Sequence, residues 1–403
     1  MTAALYTYRA RNERTVMPDP FAAAPDDRFS FGLWTVGHRG GDPFGVATRP
    51  PIAPEEIVAR LGEVGAWGVC LHDDDLVPFG SSAAERDRLV ASFGKAVAAA
   101  GLCVPMTTVN LFTQPVFKDG ALTAADPAVR RFALSKATAA IDIGAELGAG
   151  VFVLWGGREG VESAAARDPR VALERYREGV DFLCDYVLSQ GLQTRIALEA
   201  KPNEPRGHIY LPTTGHMLHF IEMLAHPEMV GVNPEMAHES MAGLSFSAAV
   251  GQALWAGKLF HVDLNSQNGP RFDQDFRFGA EDLKEAFLTV RLLERSGYDG
   301  PVHFDARAYR SEDDGDVYAA FARGCIRNYK ILAAKAAAFD ADERILEACE
   351  RAGAGQLADP TPGFSSETLD AIRGEDFSAL LASGEGRHHE PADQLMLELI
   401  FGV

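Results

Sequence analysis

The chain has 403 residues, 47% hydrophobic and 24% charged, enough for one large core with an appendage. Lys plus Arg number 38 and Asp plus Glu 57, a formal charge of −19 that argues against nucleic-acid binding, since no basic stripe offsets it. Five scattered cysteines without a C-x-x-C pair argue against a disulfide framework or a cysteine zinc site, and no apolar run reaches the ~18 residues of a membrane span.

Residues 1–27 carry Arg9, Arg11, Arg14, Pro18, Pro20 and Pro25 but no helical period and no apolar signal core. They are expected to form a flexible extension, with Met17 as an alternative start, and the reduced thiols point to the cytoplasm. From residue 28 to 338, short β-type runs alternate with longer helical patterns. The runs are 29–34, 66–72, 102–108, 150–155, 195–201, 229–233, 258–263 and 301–305. Several are apolar throughout, as expected of strands covered on both faces. Helical patterns fill the intervals, beginning with 54–65, which opens on Pro-Glu-Glu and closes on Gly65. Eight such units predict a (β/α)8 TIM barrel as the catalytic domain. A doubly wound open sheet is the runner-up, but no G-x-G-x-x-G follows the first strand, so no nicotinamide is expected. After 338 the strand-like runs stop. Residues 339–403 are expected to form an extended C-terminal helical arm, its amphipathic last stretch 392–401 covered by another subunit.

In a barrel the site is built at the C-terminal ends of the strands. Those ends here are Trp34, His72, Thr108, Trp155, Glu199 with Lys201, Asn233 with Glu235, Asp263 and Asp305. Glu199 and Lys201 stand two apart and leave the same face of a strand. His238 follows Glu235 by three, one helical turn, and Asp273 and Asp275 share a loop. So many buried carboxylates must be paired, protonated or metal-bound. Six carboxylates and one imidazole favour hard divalent ions such as Mg2+, Mn2+ or Co2+. Two ions bridged by Glu235 balance that charge better than one. In a second constellation, Asp75 lies three after His72 and can hold one ring nitrogen, leaving the other for proton transfer. One of Asp73, Asp74 and Asp75 is expected to cap the next turn. Trp34, Phe112 and Trp155 can wall a pocket and stack on a polyol.

Longer motifs carry a resemblance. Phe31-Gly-Leu-Trp-Thr-Val, His72-Asp-Asp-Asp-Leu-Val-Pro-Phe-Gly, Val153-Leu-Trp-Gly-Gly-Arg-Glu-Gly, Lys201-Pro-Asn-Glu-Pro-Arg-Gly and Gly231-Val-Asn-Pro-Glu-Met-Ala-His-Glu resemble the xylose isomerase family of the shorter, actinobacterial type. The resemblance runs from about residue 28 to the C-terminus and weakens after 340. It implies conversion of D-xylose to D-xylulose, and of D-glucose to D-fructose less efficiently, in a homotetramer embraced by the C-terminal arm. It implies one cation on Glu199, Glu235, Asp263 and Asp305, and another on Glu235, His238, Asp273 and Asp275. His72, oriented by Asp75, assists ring opening; Lys201 binds the oxygen on C1; a hydride then moves from C2 to C1. Trp34, Phe112 and Trp155 line the pocket, Thr108 supports His72, and Phe44 reaches into a neighbouring subunit's site.

The chain departs from that pattern at Ala200, where the family has Pro, at His38, where Trp is common, and at Ala306-Arg307, where an aromatic residue precedes Lys. These changes bear on substrate preference and metal affinity. Three rival readings remain. A metal-dependent endonuclease on a related barrel would want more histidines and a basic groove. An isomerase or epimerase of another sugar fits the same barrel. A catalytically silent sugar binder would not need His72, Lys201 and all of the ligands.

Overall fold

The computed structural model describes residues 19–353, 361–384 and 386–403. The expectations placed on residues 1–18, including the alternative start, lie outside the described residues. Strands β1 (Phe29–Gly32), β2 (Gly68–His72), β3 (Met106–Thr108), β4 (Val151–Trp155), β5 (Arg195–Glu199), β6 (Val230–Val232) and β7 (Val302–Phe304) form one parallel sheet. Its order is β6-β5-β4-β3-β2-β1-β7. The stretch expected as a strand at 258–263 is held instead by isolated parallel bridges, Val232 to Leu259 and Asp263 to His303. It lies between β6 and β7 and closes the ring. The amides of Phe260 and His261 both donate to the Val232 carbonyl, at 3.2 and 3.4 Å, so two residues oppose one as in a β-bulge. Gly231 permits that approach, because a Cβ there would stand 2.6 Å from the Lys258 carbonyl oxygen.

Helices alternate with the strands as the periodicity predicts: α1 (Pro54–Val64), α2 (Ala83–Ala99), α3 (Pro127–Leu147), α4 (Pro169–Ser189), α5 (Thr214–Ile221), α6 (Phe246–Trp255), α7 (Leu283–Ser296) and α8 (Arg323–Phe339). Their ends are written locally. Asp126 and Asp168 cap α3 and α4 by accepting from the amides of Ala128 and Arg170, and a proline follows each cap. Gly65 and Gly148 close α1 and α3 at φ +88 and +83, the left-handed region glycine enters freely.

Alternation along the strands divides inside from outside. Cys70, Met106, Val151, Val153, Ala197 and Phe260 fill the barrel interior. Their neighbours Leu71, Phe152, Leu154, Ile196 and Leu198 face the helices. Each buried Leu or Phe of that layer contributes roughly 1.5–3 kcal/mol. The same period of two turns the strand-terminal residues inward, over the mouth of the barrel.

Residues 19–27, counted on sequence grounds with the flexible extension, are anchored. Asp19 pairs with Arg327, Asp27 with Lys330 at 2.6 Å, and Ala23 packs on the core. The C-terminal region also differs from expectation. The helix His389–Phe401 buries Met396 and Ile400, and Lys335 donates to the Leu399 carbonyl at 2.7 Å, so this helix sits on its own barrel. The helices Ser366–Gly374 and Ser378–Ala382 have no buried residue, and Phe364 and Leu381 are 88% and 85% exposed. Among the described residues no helix is long and apolar enough to cross a membrane.

Candidate metal centre

Five of the seven expected metal ligands sit at or just beyond strand ends, or on the helix that follows one, and the fold brings all seven together. Glu199 ends β5, Asp263 lies on the bulged seventh stave, and Asp305 follows β7. Glu235 is the N-cap of the short helix Met236–Met241, and His238 lies one turn on, which gives both side chains the same outlook. Asp273 and Asp275 arrive on a loop, Asp275 at φ +48, a left-handed conformation that Asp tolerates better than most residues. Glu235 belongs to three donor groups whose ligand atoms lie within 4.8 Å of one another: with Asp263 and Asp305, with Asp273 and Asp275, and with Glu199 and His238. The first two match the division expected from sequence. The third crosses it, since His238 Nδ1 stands 3.1 Å from Glu235 and 3.5 Å from Glu199.

Asparagines that sequence reasoning assigned no role hold the cluster in place. Asn233 Nδ2 donates to Asp263 at 2.7 Å and to Glu199 at 3.2 Å. Asn265 Nδ2 donates to Glu235 at 2.7 Å and to the Asp305 carbonyl at 2.9 Å. The Trp34 indole donates to Asp305 at 2.8 Å. Arg307 was read only as a departure; it pairs with Asp275 at 3.2 Å and donates to the Asp273 carbonyl at 3.1 Å. Asn265 and Arg307 each stand two residues beyond a ligand, and that spacing was the one available signal.

The electrostatics are those of negative charge kept from water. Burial pushes Glu235 well above the usual carboxylate range, and the charges of Asp273 and Asp305 add to it. Glu199 and Asp275 move the same way, first through burial and then through Asp263 and Asp273. Asp305 is pushed up to about 7 by burial and by Asp263. Asp273 moves down: burial opposes this, but His238 and the Lys201 ammonium, 2.6 Å away, outweigh it. Burial pulls the Lys201 pKa down, Asp273 more than offsets it, and the net shift is upward. His238 Nδ1, Asp263 Oδ1 and Asp273 Oδ1 are buried without a properly aligned hydrogen bond. Such atoms are costly unless something else satisfies them. Oxygen-rich donors, unsatisfied lone pairs and mutual repulsion together fit hard divalent cations.

The second constellation faces this cluster. His72 ends β2, and Asp75 accepts from its backbone amide at 2.8 Å and lies 3.1 Å from its Nδ1. Asp75 thus caps the turn and orients the ring. Neither Asp73 nor Asp74 caps it; Asp73 accepts from the Asn110 amide at 2.9 Å and pairs with Lys136. Burial lowers the His72 pKa, Asp75 more than restores it, and the net shift is upward. Trp34 packs on His72 at 4.5 Å between ring centroids, Phe112 on His72 at 5.7 Å, and Trp155 on Phe112 at 4.7 Å. These rings form a continuous wall, and Lys201 Nζ lies 5.4 Å from the centre of the Trp155 ring. Thr108 is buried beside His72 in register. Phe44 is not part of this assembly; it is 100% exposed on the loop after β1.

Among solved structures, the chain is similar to a 3-keto-D-glucoside 4-epimerase from E. coli at 16% identity and TM-score 0.55, covering 75% of this chain and 99% of that one. It is similar to an L-ribulose 3-epimerase at 14% identity and TM-score 0.57, covering 83% and 100%. A xylose isomerase domain protein from Alicyclobacillus acidocaldarius aligns at 16% identity and TM-score 0.55, covering 77% and 99%. At such identities the likeness is one of fold. Residues 56–328 match a whole family, and on that match the chain belongs to the xylose isomerase-like TIM barrel family.

Proposed function

We propose that this protein is a divalent-metal-dependent sugar isomerase that interconverts an aldose and its ketose. D-xylose and D-xylulose are the first pair to test, and D-glucose and D-fructose a slower one. The observation that carries the reading is Glu235, shared by three donor groups at the mouth of the barrel. In this reading Glu199, Glu235, Asp263 and Asp305 hold one Mg2+, Mn2+ or Co2+, and Glu235, His238, Asp273 and Asp275 hold the other. Two such cations, when bound, polarise adjacent sugar oxygens and stabilise negative charge on them.

The protein's own groups do the rest. Asp75 occupies His72 Nδ1, so Nε2 is the face that moves a proton as the ring opens. Lys201, buried and charged, is a fixed cation for the oxygen on C1. The carbon-bound hydrogen passes from C2 to C1 within the substrate, and the wall of Trp34, Phe112 and Trp155 excludes water from it. Thr108 backs His72. Phe44 and the exposed segment 361–384 are the surfaces through which a homotetramer would form, Phe44 reaching towards a neighbour's site.

A second reading, an isomerase or epimerase of another sugar, is favoured by the departures beside the site. Burial and the nearby Arg307 and Arg49 push His38 down to about 4, so a neutral imidazole stands where the family often has Trp. A panel of aldoses and ketoses with each of Mg2+, Mn2+ and Co2+ separates the readings. Aldose–ketose turnover with retention of a C2 deuterium supports the first. Turnover only between epimers, with solvent exchange of the label, replaces it by the second. Full activity after exhaustive EDTA dialysis removes both.

A further inference from the structure

One layer beneath the carboxylates lies a cluster the proposed reaction does not use. Cys70, His261 and His303 each stand two residues before a residue of the mouth, namely His72, Asp263 and Asp305. The period of two therefore points all three into the barrel, about 6–7 Å below that layer. All three are 0% exposed, and one donor atom of each lies within 4.8 Å of the other two. The Nδ1 atoms of both rings are engaged. His303 Nδ1 is 3.1 Å from the Ser30 hydroxyl, and His261 Nδ1 is 2.9 Å from Asn233 Oδ1 and 3.2 Å from Asp263 Oδ1. Both Nε2 atoms are buried with no hydrogen-bond partner. Two imidazoles, each with an orphaned Nε2, and a buried thiol gathered in one layer with Met106, Val151, Val153 and Phe260 form an unusual core.

We propose that Cys70, His261 and His303 form a second, independent metal site, for a thiophilic d10 cation of the Cu(I) or Zn(II) class. Donor softness separates it from the layer above, because one thiolate and two imidazoles select copper or zinc where carboxylates select magnesium or manganese. Bonds of about 2.0 Å to nitrogen and 2.3 Å to sulfur place three donors roughly 3.5–4 Å apart, so closure onto an ion asks for small side-chain shifts. On binding, the S–H bond of Cys70 breaks, its proton leaves to solvent, and a sulfur–metal bond forms; no electron is transferred. The Asn233 amide oxygen sets His261 as the Nδ1–H tautomer and leaves its Nε2 as the ligand; the Ser30 hydroxyl can accept from His303 Nδ1–H and free the other Nε2 in the same way, the usual arrangement for metal-bound histidine. Through Asn233 and Asp263, an ion here would also steady the upper cluster.

The test uses the full chain saturated with Mg2+, in a background where the half-buried Cys103 and Cys349 are changed to Ser. Cu(I) and Zn(II) are offered in separate arms against a chelator, and retained metal is counted by mass spectrometry. About one equivalent per chain in one arm, falling at least tenfold in Cys70→Ser but not in Cys325→Ser, supports the site and identifies the ion. Retention below a tenth of an equivalent in both arms, or equal retention by Cys70→Ser, overturns it. Should Cys70→Ser not fold, X-ray absorption of the loaded parent decides: one sulfur with imidazole nitrogens upholds the proposal, and a shell of nitrogen and oxygen alone refutes it.

Discussion

Replacing Glu235 by Gln keeps the shape of the side chain and removes one charge from the centre of the cluster. A donor atom of Glu235 lies within 4.8 Å of one on each of Asp263, Asp273, Asp275 and Asp305. At an effective dielectric near 20, one such carboxylate pair repels by about 3–4 kcal/mol. Protonation of one partner relieves part of this, so a single pair is the ceiling. An unfolding entropy of about 2.1 cal/mol/K per residue gives roughly 0.8 kcal/mol per kelvin for 403 residues. Glu235→Gln should therefore raise the Tm of the metal-free protein by up to ~4 °C. Gln also keeps an oxygen for Asn265 Nδ2, which donates to Glu235 at 2.7 Å. Metal binding should move oppositely. Changes outside the ligand shell cost 10–100-fold in affinity, so losing a shared ligand should cost more than about 100-fold and abolish the Mg2+-dependent rise in Tm. Thermal melts in EDTA and in Mg2+, with calorimetric titration of Mg2+, read both halves. A lower Tm in EDTA together with unchanged Mg2+ affinity would show that Glu235 is a structural acid and refute the reasoning.

Three further outcomes follow from the same geometry. The Asp305 carboxyl, pushed up to about 7 by burial and then Asp263, binds its proton more tightly folded than unfolded. The metal-free protein should thus be most stable below the unfolded carboxylate pKa near 4 as far as this group is concerned, losing that contribution as pH rises towards 7; melts in EDTA from pH 5 to 8 should fall, and saturating Mg2+ should flatten the trend. His72→Asn should lower kcat/KM on a cyclic sugar by about 10²–10³-fold while leaving Mg2+ affinity unchanged, and an equal loss of metal binding would place His72 in the metal centre instead. Ending the chain after Gly353 removes Phe364 and Leu381, 88% and 85% exposed; light scattering should then report a smaller assembly than the full chain forms, and an unchanged mass would take the arm out of the interface.

Most of the barrel was legible because its signals are local. The apolar run into Glu199, the Asp126-Pro127 start of α3 and the Gly148 stop need no knowledge of neighbours. Much of the candidate ligand set was legible for a related reason: Glu199, Asp263 and Asp305 come at the ends of strand-like runs, and the barrel itself supplies their convergence. What escaped depends on which elements meet. Nothing near Asn265 tells that its amide spans Glu235 and the Asp305 carbonyl. Asp73 read as a cap candidate because its partner, Lys136, lies 63 residues away. The stretch 258–263 looked like an ordinary strand, and the doubling of Phe260 and His261 against Val232 is a property of the pair. Residues 392–401 looked like a face for another subunit, although Met396 and Ile400 are buried within the same chain, where their helix packs on Glu343–Arg351 and α8.

That bulged stave has a mechanical meaning. The barrel wall is a continuous ladder everywhere except across 258–263, where isolated bridges to β6 and β7 do the joining. A hoop fastened by few stitches opens there first. Asp263 lies on the loose stave, Glu199 on firm wall and Asp305 just past the other margin of the seam. A cation gripped by these three would act as a clasp, tying the weak stave to both sides. Amide exchange along 258–264 should then slow on Mg2+ binding more than exchange in β2–β4, making the candidate metal centre also the fastening of the barrel.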